Sequence, residues 1–419
     1  MPRSNARGLP SLGRCRLSHP TDRRRCAVGA ERRCVLTCPV GGMARTAGPI
    51  ISPPDGLSGL PAYIRKGQEL RLEGPGGILS DLGNMRGIAK TCCSAPSVRD
   101  PRAQRAVRSS SDPTPPARRA VVVNAFTVDL EDWAYGLLGG ETPITSRVVG
   151  NVERMLALLE QHNVKATFFA LGKVCKKFPE LLPRVAAGGH EIASHGYGHD
   201  LVYNMTPESF REDVRRSVGI IGEQTGAAPI GYRAPAFSIT RQSLWAGPIL
   251  AELGFKYSSS IFPIRGSRYG IADAPVFPFN WDDWLTARKA GVCGAAGQPE
   301  ARSPKPGLIE FPMTTLAFAG RRWPVCGGGY LRLLPARFLK AAVRQAHRQG
   351  QPAVVYMHPY ELDVSEVCEL ERAGWRFGRQ TALTQSLFRC FIKRRLADIF
   401  RTFKFAPMRE VLGVSELRR

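Results

Sequence analysis

The chain has 419 residues, with 59 Lys and Arg against 35 Asp and Glu, a formal net charge of +24. Hydrophobic residues make up 43% of it, enough for a core, so the chain as a whole is not disordered. No uninterrupted apolar run nears the roughly 18 residues of a spanning helix. The 11 Cys lack regular spacing and make a poor disulfide framework.

The charge is unevenly spread. Residues 1–120 hold 21 basic and 8 acidic side chains and six of the 11 Cys. This stretch is rich in Gly, Pro, Ser and Arg and shows no sustained apolar period. Residues 1–119 therefore read as a low-complexity extension, either disordered or mis-assigned through a start codon placed too early. Arg and Gly interrupt every candidate signal-peptide core, and aromatics for stacking on bases are almost absent. Cys26, Cys34 and Cys38 are too loosely spaced for a zinc site.

The texture changes at Ala120. Ala120–Val128 reads as a buried strand that runs into Asp129, Glu131 and Asp132. A helix over Ser146–His162, a strand over Ala166–Leu171 and a helix over Phe178–Ala187 follow. Glu191–Ser194 is a short strand. Thr206 caps a helix over Pro207–Thr225. Ile230–Arg233 is a strand, and Thr240–Leu253 a helix closed by Gly254. Tyr257–Ile261 and Leu308–Phe311 are extended. The triple glycine at 327–329 predicts a tight turn. Pro335–Gln349 is helical and Ala353–Met357 a buried strand. Alternating strands and helices predict an α/β fold with a parallel sheet, an irregular (β/α) barrel of seven or eight strands. Residues 120–375 form that barrel in this reading. Residues 376–419, with 11 basic and 3 acidic side chains, form a basic helical extension packed on it.

Polar residues collect at the C-terminal ends of the strands, the face that carries chemistry in barrels. His195 and His199 are four apart, a spacing at which two imidazoles can share a metal. Asp129, Glu131 and Asp132 crowd three acids into four positions, which a cation or an Arg must compensate. Arg233 can hold a carboxylate ionised, and His358 can act as an acid. Each feature alone also fits a solvated loop or a core-edge side chain.

Taken in order, these features resemble the motifs of the NodB-homology polysaccharide deacetylases, carbohydrate esterase family 4, from about residue 124 to 412. The stretches Val128–Trp133, Gly231–Thr240, Tyr257–Tyr269, Gly327–Pro335 and Tyr356–Asp363 resemble the subfamily found beside exosortase/PEP-CTERM exopolysaccharide loci. The resemblance implies a metal-dependent hydrolase that removes N-acetyl groups from amino sugars of a bacterial-type polysaccharide. It implies Asp129 as base, Arg233 as its partner, His358 as general acid, and His195 and His199 as ligands of a divalent metal, zinc first. The third ligand would be Glu131 or Asp132. Strand alternation puts Asp129 and Glu131 on one face and favours Glu131.

Trp133, Tyr197, Tyr232, Trp281 and Trp284 are candidate sugar platforms, with Pro235 beside Tyr232 in the substrate-binding set. A backbone N–H near Tyr197 or Tyr232 would hold the oxyanion. Two other readings stand: a hydrolase of a small cyclic amide or imide, and a glycan-binding barrel without catalysis. The expected partner is an N-acetylated polysaccharide or oligosaccharide, not nucleic acid. The basic tail suggests peripheral contact with a membrane surface, and the expected location is the cytoplasm, at the inner membrane.

Overall fold

The computed structural model describes residues 121–266, 268–291 and 307–414. The expectations for residues 1–119 lie outside the described residues. Eight strands follow one another round a curled sheet. They are β1 (Val123–Leu130), β2 (Thr167–Ala170), β3 (Glu191–Ser194), β4 (Gly231–Tyr232), β5 (Tyr257–Ser258), β6 (Phe279–Asn280), β7 (Ile309–Glu310) and, beyond the hairpin β8 (Thr315–Phe318) and β9 (Arg321–Pro324), β10 (Val354–Met357). The order is β10-β1-β2-β3-β4-β5-β7-β6, parallel throughout except that β6 runs antiparallel to β7. The predicted α/β barrel of seven or eight strands is thus the fold.

Strand parity fills the two sides of the sheet. Phe126, Val128 and Leu130 on β1 face the helical layer and join Val148, Val152, Met155 and Leu159 of the helix Arg147–Gln161. Val355 and Met357 of β10 lie in the same core. Ala125, Phe169, Ala193, Val354 and Tyr356 alternate with these and pack together inside the barrel. Asp129, His195 and His358 continue that inward set, so the period of two delivers them to one place.

The strands do not zip completely shut. The open edge of β10 is met by the chain that follows β7, where the Val354 N–H donates to Thr314 Oγ1 at 2.8 Å, and by a bridge from Gly327 to Tyr356. A Cβ on Gly327 would sit 2.0 Å from the Tyr356 carbonyl oxygen, so the glycine there permits backbone to lie against β10. The expected turn is therefore part of the barrel wall. It leads into a helix over Gly328–Leu333.

The helix Pro207–Thr225 is bounded as expected. Thr206 Oγ1 accepts from the Ser209 N–H at 3.2 Å, and Gly226 ends it in the left-handed conformation. The expected helix over Thr240–Leu253 is instead split. A single 3₁₀ turn, Arg241–Ser243, precedes a helix over Ala246–Glu252. Pro248 has no N–H to donate back across the break, so the helix restarts just ahead of it.

The described part of the tail is mostly helical and adds one strand. The helix Ile392–Thr402 buries Ile392, Leu396, Ile399 and Phe400. It then passes into β11 (Lys404–Ala406), which pairs in parallel with the start of β1. The following backbone plugs the barrel. The Met408 N–H donates to Thr167 Oγ1 at 2.7 Å and the Arg409 N–H to Glu191 Oε2 at 3.1 Å. Among the described residues no helix is long and apolar enough to cross a membrane.

Candidate active site

The inward residues at the strand ends meet in one cluster. Asp129 closes the inner face of β1, and Arg233 follows β4. Arg233 is wholly buried, with Nη1 donating to Asp129 Oδ1 at 2.7 Å and to Thr127 Oγ1 at 2.8 Å. Its Nε and Nη2 are held by the Ser259 carbonyl and hydroxyl at 2.9 and 3.0 Å, and its Cζ lies 4.1 Å from the centroid of the Phe169 ring. One carboxylate oxygen of Asp129 is thereby fixed. The other, Oδ2, lies 3.9 Å from His358 Nε2.

Glu131 lies one turn of the chain beyond. Its Oε2 is 2.7 Å from His199 Nε2 and 3.6 Å from His195 Nε2. Ligand atoms of these three residues all fall within 4.8 Å of one another, the arrangement of a possible metal site. The two histidines do not share a helical turn. They flank a loop in which Gly196 and His199 both adopt positive φ, 74° and 64°. That backbone is pinned by Asp213, whose carboxylate accepts the Tyr197 and Gly198 N–H groups at 2.8 and 2.9 Å. His195 Nδ1 donates to the Arg233 carbonyl at 2.9 Å, which leaves Nε2 as a lone pair facing Glu131.

These residues fit a divalent cation. Glu131 Oε2 is buried and makes no hydrogen bond of proper geometry, although His199 stands so near. Burial alone would raise the Glu131 carboxyl. His199, His195 and His358 outweigh it and hold the group well below the usual carboxylate range. A buried carboxylate 2.7 and 3.6 Å from two imidazole nitrogens, which would give up their protons to a bound cation, is the donor set of a three-ligand site with an open position.

Of the two acids considered as third ligand, the structure brings Glu131 to the histidines and turns Asp132 away. Asp132 caps the helix Trp133–Leu138, accepting the Tyr135 N–H at 3.2 Å and the Thr145 hydroxyl at 2.6 Å. Three expected sugar contacts are corrected as well. Trp133, Tyr232 and Pro235 are buried. Trp133 packs on Phe377, and Tyr232 on Phe210 and Phe255. Their rings or edges serve packing, as do those of Trp281, which stacks with Phe279, and Trp284, which meets Phe279 edge-on. Tyr197 is half-buried with Arg216 over its ring at 3.8 Å, and its N–H is taken by Asp213 rather than free for an oxyanion.

His358 ends β10 and has partners that sequence reading missed. Its Nδ1 donates to Glu361 Oε1 at 2.9 Å, and Arg332 Nε donates to Glu361 Oε2 at 3.0 Å. Arg332 also binds the Thr384 and Gln385 carbonyls at 2.8 and 3.0 Å. Burial works against a charged His358. The Glu361 hydrogen bond and the charges of Glu131, Glu361 and Asp129 overcome it and raise the imidazole to about 9. It is therefore cationic at neutral pH, a proton donor in waiting.

Residues 143–258 match the polysaccharide deacetylase family model. Over that stretch the chain is similar to polysaccharide deacetylases. Residues 259–413 match a second model, described only as a domain of unknown function (DUF3473). The Helicobacter pylori peptidoglycan deacetylase is 30% identical over 131 residues, 31% of this chain and 41% of that protein. A Bacillus cereus peptidoglycan-N-acetylglucosamine deacetylase is 37% identical over 94 residues, 22% of this chain and 34% of that protein. A solved peptidoglycan N-acetylglucosamine deacetylase is 17% identical, covering 71% of this chain and 92% of that one, with a TM-score of 0.36. The chain thus spans less than half the length of these two sequence relatives. His195 and His199 lie inside the deacetylase match. Arg332, His358 and Glu361 lie inside the second one, and Asp129 and Glu131 precede both, so the cluster draws on the two matched regions and on the strand before them.

Proposed function

We propose that the protein hydrolyses N-acetyl groups from amino sugars of a polysaccharide, an exopolysaccharide by preference, with one divalent ion held by Glu131, His195 and His199. Zinc suits a set of two imidazoles and one carboxylate. The observation that carries the reading is the convergence of this buried triad with two oppositely prepared groups, Asp129 held by Arg233 and His358 held by Glu361.

When bound, a divalent ion at this triad supplies Lewis acidity, lowering the pKa of a coordinated water and polarising an acetyl carbonyl. The protein's own groups do the proton work. Asp129, with Oδ1 occupied by Arg233, has Oδ2 available to take a proton from the attacking water. His358, protonated on Nε2 and steadied through Nδ1, delivers a proton to the departing sugar amine. The water's oxygen bonds to the acetyl carbon, the C–N bond breaks, and acetate and a free amine result. Acetate release from N-acetylglucosamine oligomers and from an N-acetylated exopolysaccharide tests the reading. No acetate from any of them by metal-loaded protein would remove it.

A further inference from the structure

Outside this site the described surface has a cavity of about 390 Å³, lined by Pro263, Ile264, Arg265, Ala272 and the hairpin residues Gly320–Pro324. That volume lies within the roughly 300–1,000 Å³ of small-molecule sites. Both walls belong to the region of unknown function.

The groove is built rather than incidental. The β8–β9 hairpin turns on Ala319 and Gly320, both with positive φ, 51° and 71°, the conformation that suits a two-residue hairpin turn. Arg322 Nη1 ties the hairpin to the opposite wall through the Ala272 and Ala274 carbonyls at 3.1 and 3.3 Å. Gln345 holds the outer strand through both polar groups of Ala317, at 2.9 and 3.1 Å.

Its charge is one-sided. No acidic side chain lines it. The neighbouring Asp273 is already paired with Arg241 and Arg288, at 2.6 and 2.7 Å. The side chains of Arg265 and Arg321 are exposed and form no hydrogen bond or ion pair with any described residue. Arg321 lies 5.8 Å from the ring of Trp323, so a cationic fork and an aromatic face stand side by side. The loop that forms one wall also carries Tyr269, whose ring is 6.3 Å from Phe237, which in turn lies 5.5 Å from Arg233. Groove and catalytic cluster are therefore joined by packed side chains.

We propose that this groove is a subsite for an acidic sugar, a hexuronate carboxylate held by Arg265 and Arg321 with its ring against Trp323. Guanidinium forks match carboxylates in two-point geometry. The proposal rests on the deacetylase reading only in taking the ligand to be a polysaccharide.

Titration calorimetry separates the two. The probes are a hexasaccharide alternating N-acetylglucosamine with glucuronate, a neutral N-acetylglucosamine hexamer and a single-stranded DNA oligomer, with acetate followed in the same samples. The full chain should bind the acidic hexamer at least about tenfold more tightly than the neutral one, and weakening with salt is expected. The double variant Arg265→Ala/Arg321→Ala, both exposed and remote from the core, should lose that margin while its thermal melt is kept. Equal binding of acidic and neutral hexamers, or an unchanged margin in the double variant, would overturn the subsite. Tight DNA binding lost in the variant, with the acidic hexamer ignored, would overturn it in favour of a nucleic-acid surface. Acidic-hexamer binding without acetate release would uphold the groove and count against the deacetylase reading alone.

Discussion

Arg233 and Asp129 share a 2.7 Å contact from which solvent is excluded on both sides. A buried charge with one partner removed costs about 3–5 kcal/mol. Arg233→Met should therefore destabilise the fold by roughly that amount and also lower turnover, because Asp129 loses the group that fixes it. Urea denaturation and kcat on one preparation check this. Wild-type stability would show that Asp129 finds another partner.

Glu361 should matter to catalysis and not to metal binding. It touches His358 Nδ1 and none of the proposed ligands. General acid catalysis is worth about 10²–10⁴-fold, so Glu361→Gln should cost about ten- to a hundredfold in kcat with metal content unchanged. Loss of metal in this variant would place Glu361 in a structural role.

The two adjacent acids at the end of β1 should part company. Glu131→Gln should abolish metal retention. Asp132→Ala should keep the metal and lose about 1 kcal/mol, the usual cost of an N-cap. Metal analysis after gel filtration, with a melt of each variant, reads both. Retention of metal by Glu131→Gln would reverse the assignment.

The strand-end residues were legible because strand parity and a few spaced motifs determine them. Asp129, His195, Arg233 and His358 each follow a short apolar run, and the fold needs only to curl to bring them together. Asp213 was not legible. It sits on the helix Pro207–Thr225, sixteen positions from the Tyr197 N–H it binds, and reads there as a solvated acid. Arg332 and Glu361 were hidden for a similar reason. Twenty-nine residues separate them, and the short helix carrying Arg332 follows glycines that predict only a turn. The aromatic platforms failed because the chemistry of a ring does not say which side of a sheet it faces. Trp133 falls just past the acids, on the inner turn of a helix whose cap is Asp132.

Stability should depend on pH through His190. Burial, with Lys165 nearby, pushes its imidazole down to about 4, and the neutral ring accepts the Ala166 N–H through Nδ1 at 3.2 Å. The unfolded ring titrates near 6.5, so between about 6.5 and 4 the unfolded chain binds the extra proton. The contribution is fully present above 6.5 and fades as pH falls toward 4. Urea midpoints for the wild type should drop more steeply over that window than those of His190→Asn. Parallel curves would assign the acid sensitivity to other groups.

The most direct test of the whole account is acetate release from an N-acetylglucosamine oligomer by one sample that is chelated, assayed, reloaded with zinc and assayed again. The account predicts about one metal per chain before chelation, no release after it and recovery on reloading, with Asp129→Asn binding the metal yet remaining inactive. Undiminished release from the metal-free protein, or full turnover by Asp129→Asn, would contradict it.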